Sequence, residues 1–329
     1  MVKHGLKLMI LGFAAAANLG AATTAPAPNS KSEAYRFQVW RDEAVRALAA
    51  RPDANSVATA AALDFTNSYA VPSAAPAALQ LIARASQMAP DSGAIGWLHL
   101  QLCTATPGCD SRDVATVLRW VDPDNGAAWL SQLSTAHRDQ DTVEIDRVLA
   151  DMAHGSRFDL YYNGIMVLMF DALSAVRREL PRGVVASDSA KLAALEGVAN
   201  AEIIPALSPL IDSCRESTPS SARREDCLKL AKIMQRGDTV VVQMVGFSIE
   251  RRLVAPDSKE AKILAERRRL LEWRSTAVGR LDASILPWTQ NARARTRLAE
   301  MRLRPREEDV CIALLREHKM PLEPAEIHR

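Results

Sequence analysis

The feature that most constrains this chain is a turn that recurs. Arg51-Pro52-Asp53-Ala54-Asn55 leads into an Ala-rich stretch, Ala89-Pro90-Asp91-Ser92-Gly93 into Ala94-Ile95-Gly96-Trp97-Leu98, and Asp122-Pro123-Asp124-Asn125-Gly126 into Ala127-Ala128-Trp129-Leu130. Proline lacks the N–H that a helix needs and clashes with the preceding turn, so a helix cannot continue through it. The Asp, Asn or Ser after the proline offers a side-chain oxygen to cap the next helix. The prolines are 38 and then 33 residues apart, and a period in the thirties belongs to stacked helix pairs. His154-Gly155-Ser156-Arg157, ahead of Phe158 to Tyr162, reads as a fourth, degenerate copy. Composition agrees: 48% of residues are apolar but only 5% aromatic, so Ala and Leu carry the core, which suits close-packed helices better than sheets. The expected fold is all-α, an irregular helical-hairpin solenoid over residues 32–180 with a helical C-terminal part over 181–329, either continuous with the first or separate.

The third turn, Asp122-Pro123-Asp124-Asn125-Gly126-Ala127-Ala128-Trp129-Leu130, resembles the junction between successive tetratricopeptide repeats, where a proline ends one repeat and an aromatic opens the next. The resemblance covers about residues 50–180 and departs from the family at Gln132-Leu133, where a Leu-Gly pair usually follows the aromatic. It implies a divergent tetratricopeptide-like solenoid of uneven units. The alternative is an irregular helical domain whose turns share Pro-Asp. Trp97 and Trp129 follow equivalent turns, so each is either a packing residue or a groove aromatic.

Downstream, Gly164 to Phe170 is apolar on all sides, which predicts a helix wrapped by its neighbours. The pattern breaks at Pro181 to Val185, the candidate boundary, and a helix is expected over Asp188 to Asn200. Further helices are expected at Arg223 to Gln235, Thr239 to Leu253, Ser258 to Leu281, Trp288 to Leu303 and Pro305 to His318. Thr239-Val240-Val241-Val242 has strand propensity, but the run continues to Leu253 and no partner strand is evident. In the Ser258 helix Ala261, Leu264, Leu271 and Val278 share one face.

The N-terminus addresses the compartment. Lys3, His4 and Lys7 precede the apolar run Leu8 to Ala17 and the small residues Gly20-Ala21-Ala22. This is the pattern of a cleaved signal peptide over residues 1–22, cut after Ala22, with a low-complexity linker over 23–31. The apolar run is about half the roughly 20 residues needed to span a bilayer, so no stable membrane insertion is expected and the location is periplasmic or secreted. The chain has 41 Lys and Arg against 39 Asp and Glu, and residues 1–22 hold two Lys and no acid, leaving 39 against 39. A balanced chain sets up no global field for nucleic acid. Locally, Lys259 to Glu308 holds thirteen basic and seven acidic residues, either solvated helix faces or a docking surface.

An exported chain with five cysteines fits two disulfides and one remainder. Cys103 and Cys109 flank a Thr-Ala-Thr-Pro-Gly turn, and Cys214 and Cys227 flank a polar loop, so these are the expected pairs. Cys311 is left in an apolar helical stretch, a buried inert thiol or an intermolecular one.

Recognisable chemistry is missing. None of His99, His137, His154, His318 and His328 forms a His-Glu-x-x-His unit or stands near a Cys pair. There is no Gly-x-Ser-x-Gly elbow or phosphate-binding glycine loop. Ser134 and His137 lack a third group orienting the base from the far side, and Arg267-Arg268-Arg269 is interleaved with acids and apolar residues. No catalytic group, cofactor or metal is therefore expected. The functional expectation is an exported, non-catalytic scaffold that binds a protein or peptide, with Trp129, Arg138 and Asp141 as candidate partner-binding residues. The alternatives are a cell-envelope hydrolase-type enzyme with non-local catalytic residues, or a secreted factor acting on another cell.

Overall fold

A computed structural model describes residues 30–68, 75–181, 185–215, 220–284 and 289–324. Among them the chain is all-α, with fifteen α-helices and no strand. The signal-peptide reading, part of the 181–185 boundary and Trp288 lie outside the described residues.

The first half runs α1 (Ser30–Ala49), α2 (Ala54–Ser68), α3 (Ala75–Met88), α4 (Gly93–Ala105), α5 (Ser111–Val121), a short 3-10 helix (Gly126–Trp129), α6 (Leu130–Arg138), α7 (Thr142–His154) and α8 (Tyr162–Ala175). Each recurring turn caps the helix after it. Asp53 accepts from the Ser56 N–H (2.8 Å), Ser92 from the Ile95 N–H (3.4 Å) and Asn125 from the Ala127 N–H (3.1 Å). The Ala-rich α2 is the hub: Ala58, Ala60, Ala61 and Ala62 are buried, and their small side chains let α1, α3, α4, α8 and α9 (Asp188–Glu202) pack against one helix. The apolar α8 packs against α1, α2, α4 and α9 and buries Ile165, Met166, Met169, Phe170 and Leu173, but it is not enclosed on all sides, since Gly164 is exposed and Val167 and Leu168 are half-buried.

At the degenerate fourth turn the chain takes longer to re-enter a helix than Phe158 to Tyr162 suggests, because α8 begins only at Tyr162. Distant side chains supply the acceptors that helical carbonyls would otherwise provide. Asn125 accepts from the Asp159 N–H (2.9 Å), and the Asp238 carboxylate accepts from the N–H groups of Leu160 (2.9 Å) and Tyr162 (3.1 Å). With its polar backbone satisfied, the segment buries Phe158 and Leu160 without helical geometry.

The second half continues with α10 (Ser208–Ser213), α11 (Ser221–Met234), α12 (Val240–Leu253), α13 (Lys259–Ser284), α14 (Gln290–Leu303) and α15 (Glu307–Glu317). The valine run at the start of α12 is helical, capped by Thr239, whose hydroxyl accepts from the Val242 N–H at 3.2 Å. α11 and α12 cross closely at Gly246, where a Cβ would stand 2.7 Å from the Ala231 carbonyl oxygen and 2.9 Å from the Gln235 nitrogen. Only glycine fits there without moving backbone.

One apolar core joins both halves, from Trp40 through α2, α8 and α11 to Leu315. Polar contacts stitch the same seam. Asn163 donates to the Arg304 carbonyl (2.9 Å), the Glu307 N–H donates to the Asp238 carbonyl (2.7 Å), and the Glu307 carboxylate accepts from the Val240 N–H (2.9 Å). A smaller cluster of Phe247, Leu264 and Leu271 stands apart between α12 and α13. The two clusters divide α12: Val242, Ile249 and Leu253 face the main core, while Phe247, with partly buried Val240 and Met244, faces the satellite.

Both expected disulfides are present. Cys103–Cys109 closes the α4–α5 turn with Cα atoms 5.3 Å apart, and Cys214–Cys227 ties the end of α10 to α11 with Cα atoms 5.7 Å apart. Such bonds persist in oxidising compartments. Cys311 is a buried free thiol whose pKa burial pushes up to about 12, so it is scarcely ionised at neutral pH. No helix among the described residues is long and apolar enough to cross a membrane.

Candidate functional site

The three residues expected to mark a binding surface lie along α6. Trp129 precedes it, and Arg138 and Asp141 lie at its far end. Nine residues at 1.5 Å each separate the two groups by about 13 Å. Trp129 is half-buried, with the Arg119 guanidinium 4.1 Å and the Arg147 guanidinium 5.7 Å from its ring centroid. Gln132 donates to Glu144 at 2.7 Å, and hydrogen bonds from Arg147 lead in holding the Glu144 carboxyl down to about 2. Arg138 is exposed and paired with Asp139 at 3.3 Å, and Asp141 caps α7 through the Glu144 N–H at 3.0 Å. The structure thus gives Trp129 a cationic cover and Asp141 a capping role, and does not bring the three into one contact. Trp97 diverges from Trp129: fully buried, its indole N–H donates to the Ile203 carbonyl at 3.1 Å.

A groove opens instead beside the disulfide-tied hairpin, between the end of α3 and the facing sides of α4 and α5. Its volume is about 400 Å³, and Ala89, Pro90, Val114, Val117, Leu118 and Val121 make its lining largely apolar. Local sequence explains the shape. Pro90 follows the end of α3 at Met88, and the Ser92 cap starts α4 three residues later. Gly96 lets α5 approach, since a Cβ there would stand 3.2 Å from a Leu118 methyl. On α5, Ala115 and Leu118 are buried in the core, while Val117 is 58% exposed and Trp120, one turn on, is 83% exposed. Residues three apart on a helix are surface neighbours, so these two form one apolar rim.

Two polar groups punctuate the groove. Ser86 Oγ lies 3.1 Å from His99 Nδ1, and burial keeps the pKa of His99 below the ordinary imidazole value. Asp113 lines the same groove but does not hydrogen-bond the ring, so serine, histidine and acid are not linked as a relay. Elsewhere the strongly perturbed groups are interior ties. Asp238, pushed up to about 7 by burial, holds two backbone N–H groups, and Tyr161, whose hydroxyl burial pushes up, donates to an Asp122 carboxylate that also accepts from Arg157. Among the described residues no three His, Cys, Asp or Glu side chains are placed to share a metal ion.

Comparison with known proteins yields no match: no family model fits the chain, and no curated protein or solved structure is similar to it. The rim was not among the residues singled out from sequence. Its signal was present, because Trp120 falls off the Ala115/Leu118 stripe and so adds apolar surface that one buried face does not use.

Proposed function

We propose that this chain is an exported, non-catalytic helical scaffold that binds a segment of another protein, and that the α3–α4–α5 groove is where an apolar side chain of that segment docks. The observation that carries the reading is the exposed Val117/Trp120 rim beside a lined groove. A solvated tryptophan next to apolar walls is an anchor without a partner, and aromatic residues dominate the energetics of peptide contacts. The disulfide at the hairpin turn supports it, since a wall held in place loses less entropy on binding. The amino-terminal export pattern and the two disulfides support the compartment. The turn spacing supports a tetratricopeptide-like origin for the first half, a lineage known for peptide grooves.

The enzyme alternative finds less support, because the groove's histidine has a hydroxyl partner but no orienting carboxylate. The test is selection from a random peptide library against the disulfide-bonded protein, with affinities measured for wild type, Val117→Asp and Trp120→Ala. Both side chains are exposed, so the variants keep their melting temperature. The selected peptides should share an apolar or aromatic anchor and lose about tenfold in affinity to each variant, with a blue shift of Trp120 emission on binding to wild type. Peptides that bind all three proteins equally refute the assignment.

A further inference from the structure

A second concavity lies at the other end of the molecule and differs in character. Between α11–α12 and the first half of α13 is a cleft of about 620 Å³, floored by Phe247 and Leu264 with Ile263 on its wall. It runs into a neighbouring volume of about 370 Å³, and Gln235, Arg236, Phe247 and Arg267 line both. Six Lys or Arg side chains line the pair of volumes against three Glu, an excess of three positive charges.

The pairing within the cleft is uneven. Glu308 is taken by Arg274 (2.7 Å) and Arg306 (2.8 Å), and Glu250 accepts from Gln235 with Lys232 4.0 Å away. The side chains of Arg236 and Arg267, at the junction of the two volumes, make no hydrogen bond or ion pair with any described residue. Neighbouring arginines behave otherwise: Arg268 pairs with Glu272 and Arg269 with Glu266. Two free guanidinium forks over an apolar floor match a carboxylate on each side of an apolar side chain, the fork geometry favouring bidentate oxygen pairs.

We infer that this cleft binds an acidic segment of a partner protein, with an apolar side chain on Phe247 and Leu264 and carboxylates on Arg236 and Arg267. A peptide fits better than a nucleic acid or an anionic membrane. Polyanions need a continuous cationic row, whereas Glu260 and Glu250 interrupt this one, and the chain as a whole is nearly balanced at 41 basic to 39 acidic residues. The cleft can also adjust to a guest, because the first half of α13 rests on the three-residue satellite cluster rather than on the main core. This site is independent of the α3–α4–α5 groove, and either assignment stands if the other fails.

The test is fluorescence anisotropy with the full disulfide-bonded protein and a fluorescein-labelled peptide of repeated Glu-Glu-Leu-Leu, against its Gln-Gln-Leu-Leu counterpart. The Glu peptide should bind, the Gln peptide at least about tenfold more weakly, and the Arg236→Gln/Arg267→Gln double variant should lose about tenfold for the Glu peptide. Val117→Asp should leave this binding unchanged. The inference is overturned if the Glu peptide does not bind, if the double variant binds it as wild type does, or if the double variant instead loses binding only to phosphatidylglycerol vesicles or single-stranded DNA.

Discussion

The α4–α5 and α12–α13 hairpins are both helix pairs joined by short turns, yet they are held by different means. The first is closed by Cys103–Cys109, and α4 buries Ile95, Trp97, Leu98, Leu100 and Leu102 in the continuous core. The second has no covalent tie, and the first half of α13 meets α12 through the small satellite of Phe247, Leu264 and Leu271, flanked by half-buried Val240 and Met244, and through a hydrogen bond from Arg268 to the Ser248 hydroxyl at 3.1 Å. Both carry a groove, but the tied hairpin presents a fixed apolar one and the untied hairpin a charged, adjustable one. What separates them is the depth of their burial rather than their local helix content. Stability should therefore be distributed unevenly, with the first half of α13 opening at a lower free energy than α4.

Three measurements sharpen or break that contrast. The largest effect is expected for Trp97→Ala, which removes a fully buried indole and its hydrogen bond to Ile203 and should cost about 3–5 kcal/mol in urea unfolding. The loss should appear in every helix at once, because this core is continuous. Leu264→Ala comes next, at about 2–3 kcal/mol, but as a local loss. Amide exchange should accelerate over residues 259–271 while the global midpoint moves less than for Trp97→Ala. Equal global destabilisation by the two variants would show that the satellite is not separate.

The smallest effect per step of the measurement is a pH slope from Asp238, the tie between the α8 entry and α12, which for one proton is at most about 1.4 kcal/mol per pH unit. Burial raises its folded pKa from 3.8 to about 7, so the folded state holds a proton that the unfolded chain releases near pH 4. The stability from this group is fully present below about pH 4 and is lost as pH rises through about 7. Melting temperature should fall across that window, and Asp238→Asn should flatten the slope whatever its own stability. An unchanged slope in the variant would rule out Asp238 as its source.

Much of the fold was legible because its signals are short-range. The caps at Asp53, Ser92 and Asn125 act over two or three residues, and each disulfide closes a loop of local sequence. The α13 stripe was legible too, although it serves two cores. Leu264, Leu271 and Val278 are seven residues apart, and a straight helix drifts about 20° per seven, so the stripe turns from the satellite at Leu271 to the main core at Val278. The non-helical Phe158 to Tyr161 segment was not legible, since its acceptor Asp238 lies 78 residues from Leu160.

By itself, the sequence determined the helical class, the helix starts at the three Pro-Asp turns and the pairing of the cysteines, because propensity, capping and loop closure act between near neighbours. Tertiary structure alone decided the fate of residues that look equivalent in the chain. Trp97 is buried because the Ile203 carbonyl arrives from 106 residues away, and Trp129 is half-covered because Arg119 and Arg147 converge on it. Trp120 stays in solvent because no described helix packs over that side of α5. Likewise Arg267 and Arg268 are adjacent in sequence, but only Arg268 finds a carboxylate, since one helix residue turns the side chain by about 100° and points it at a different neighbour.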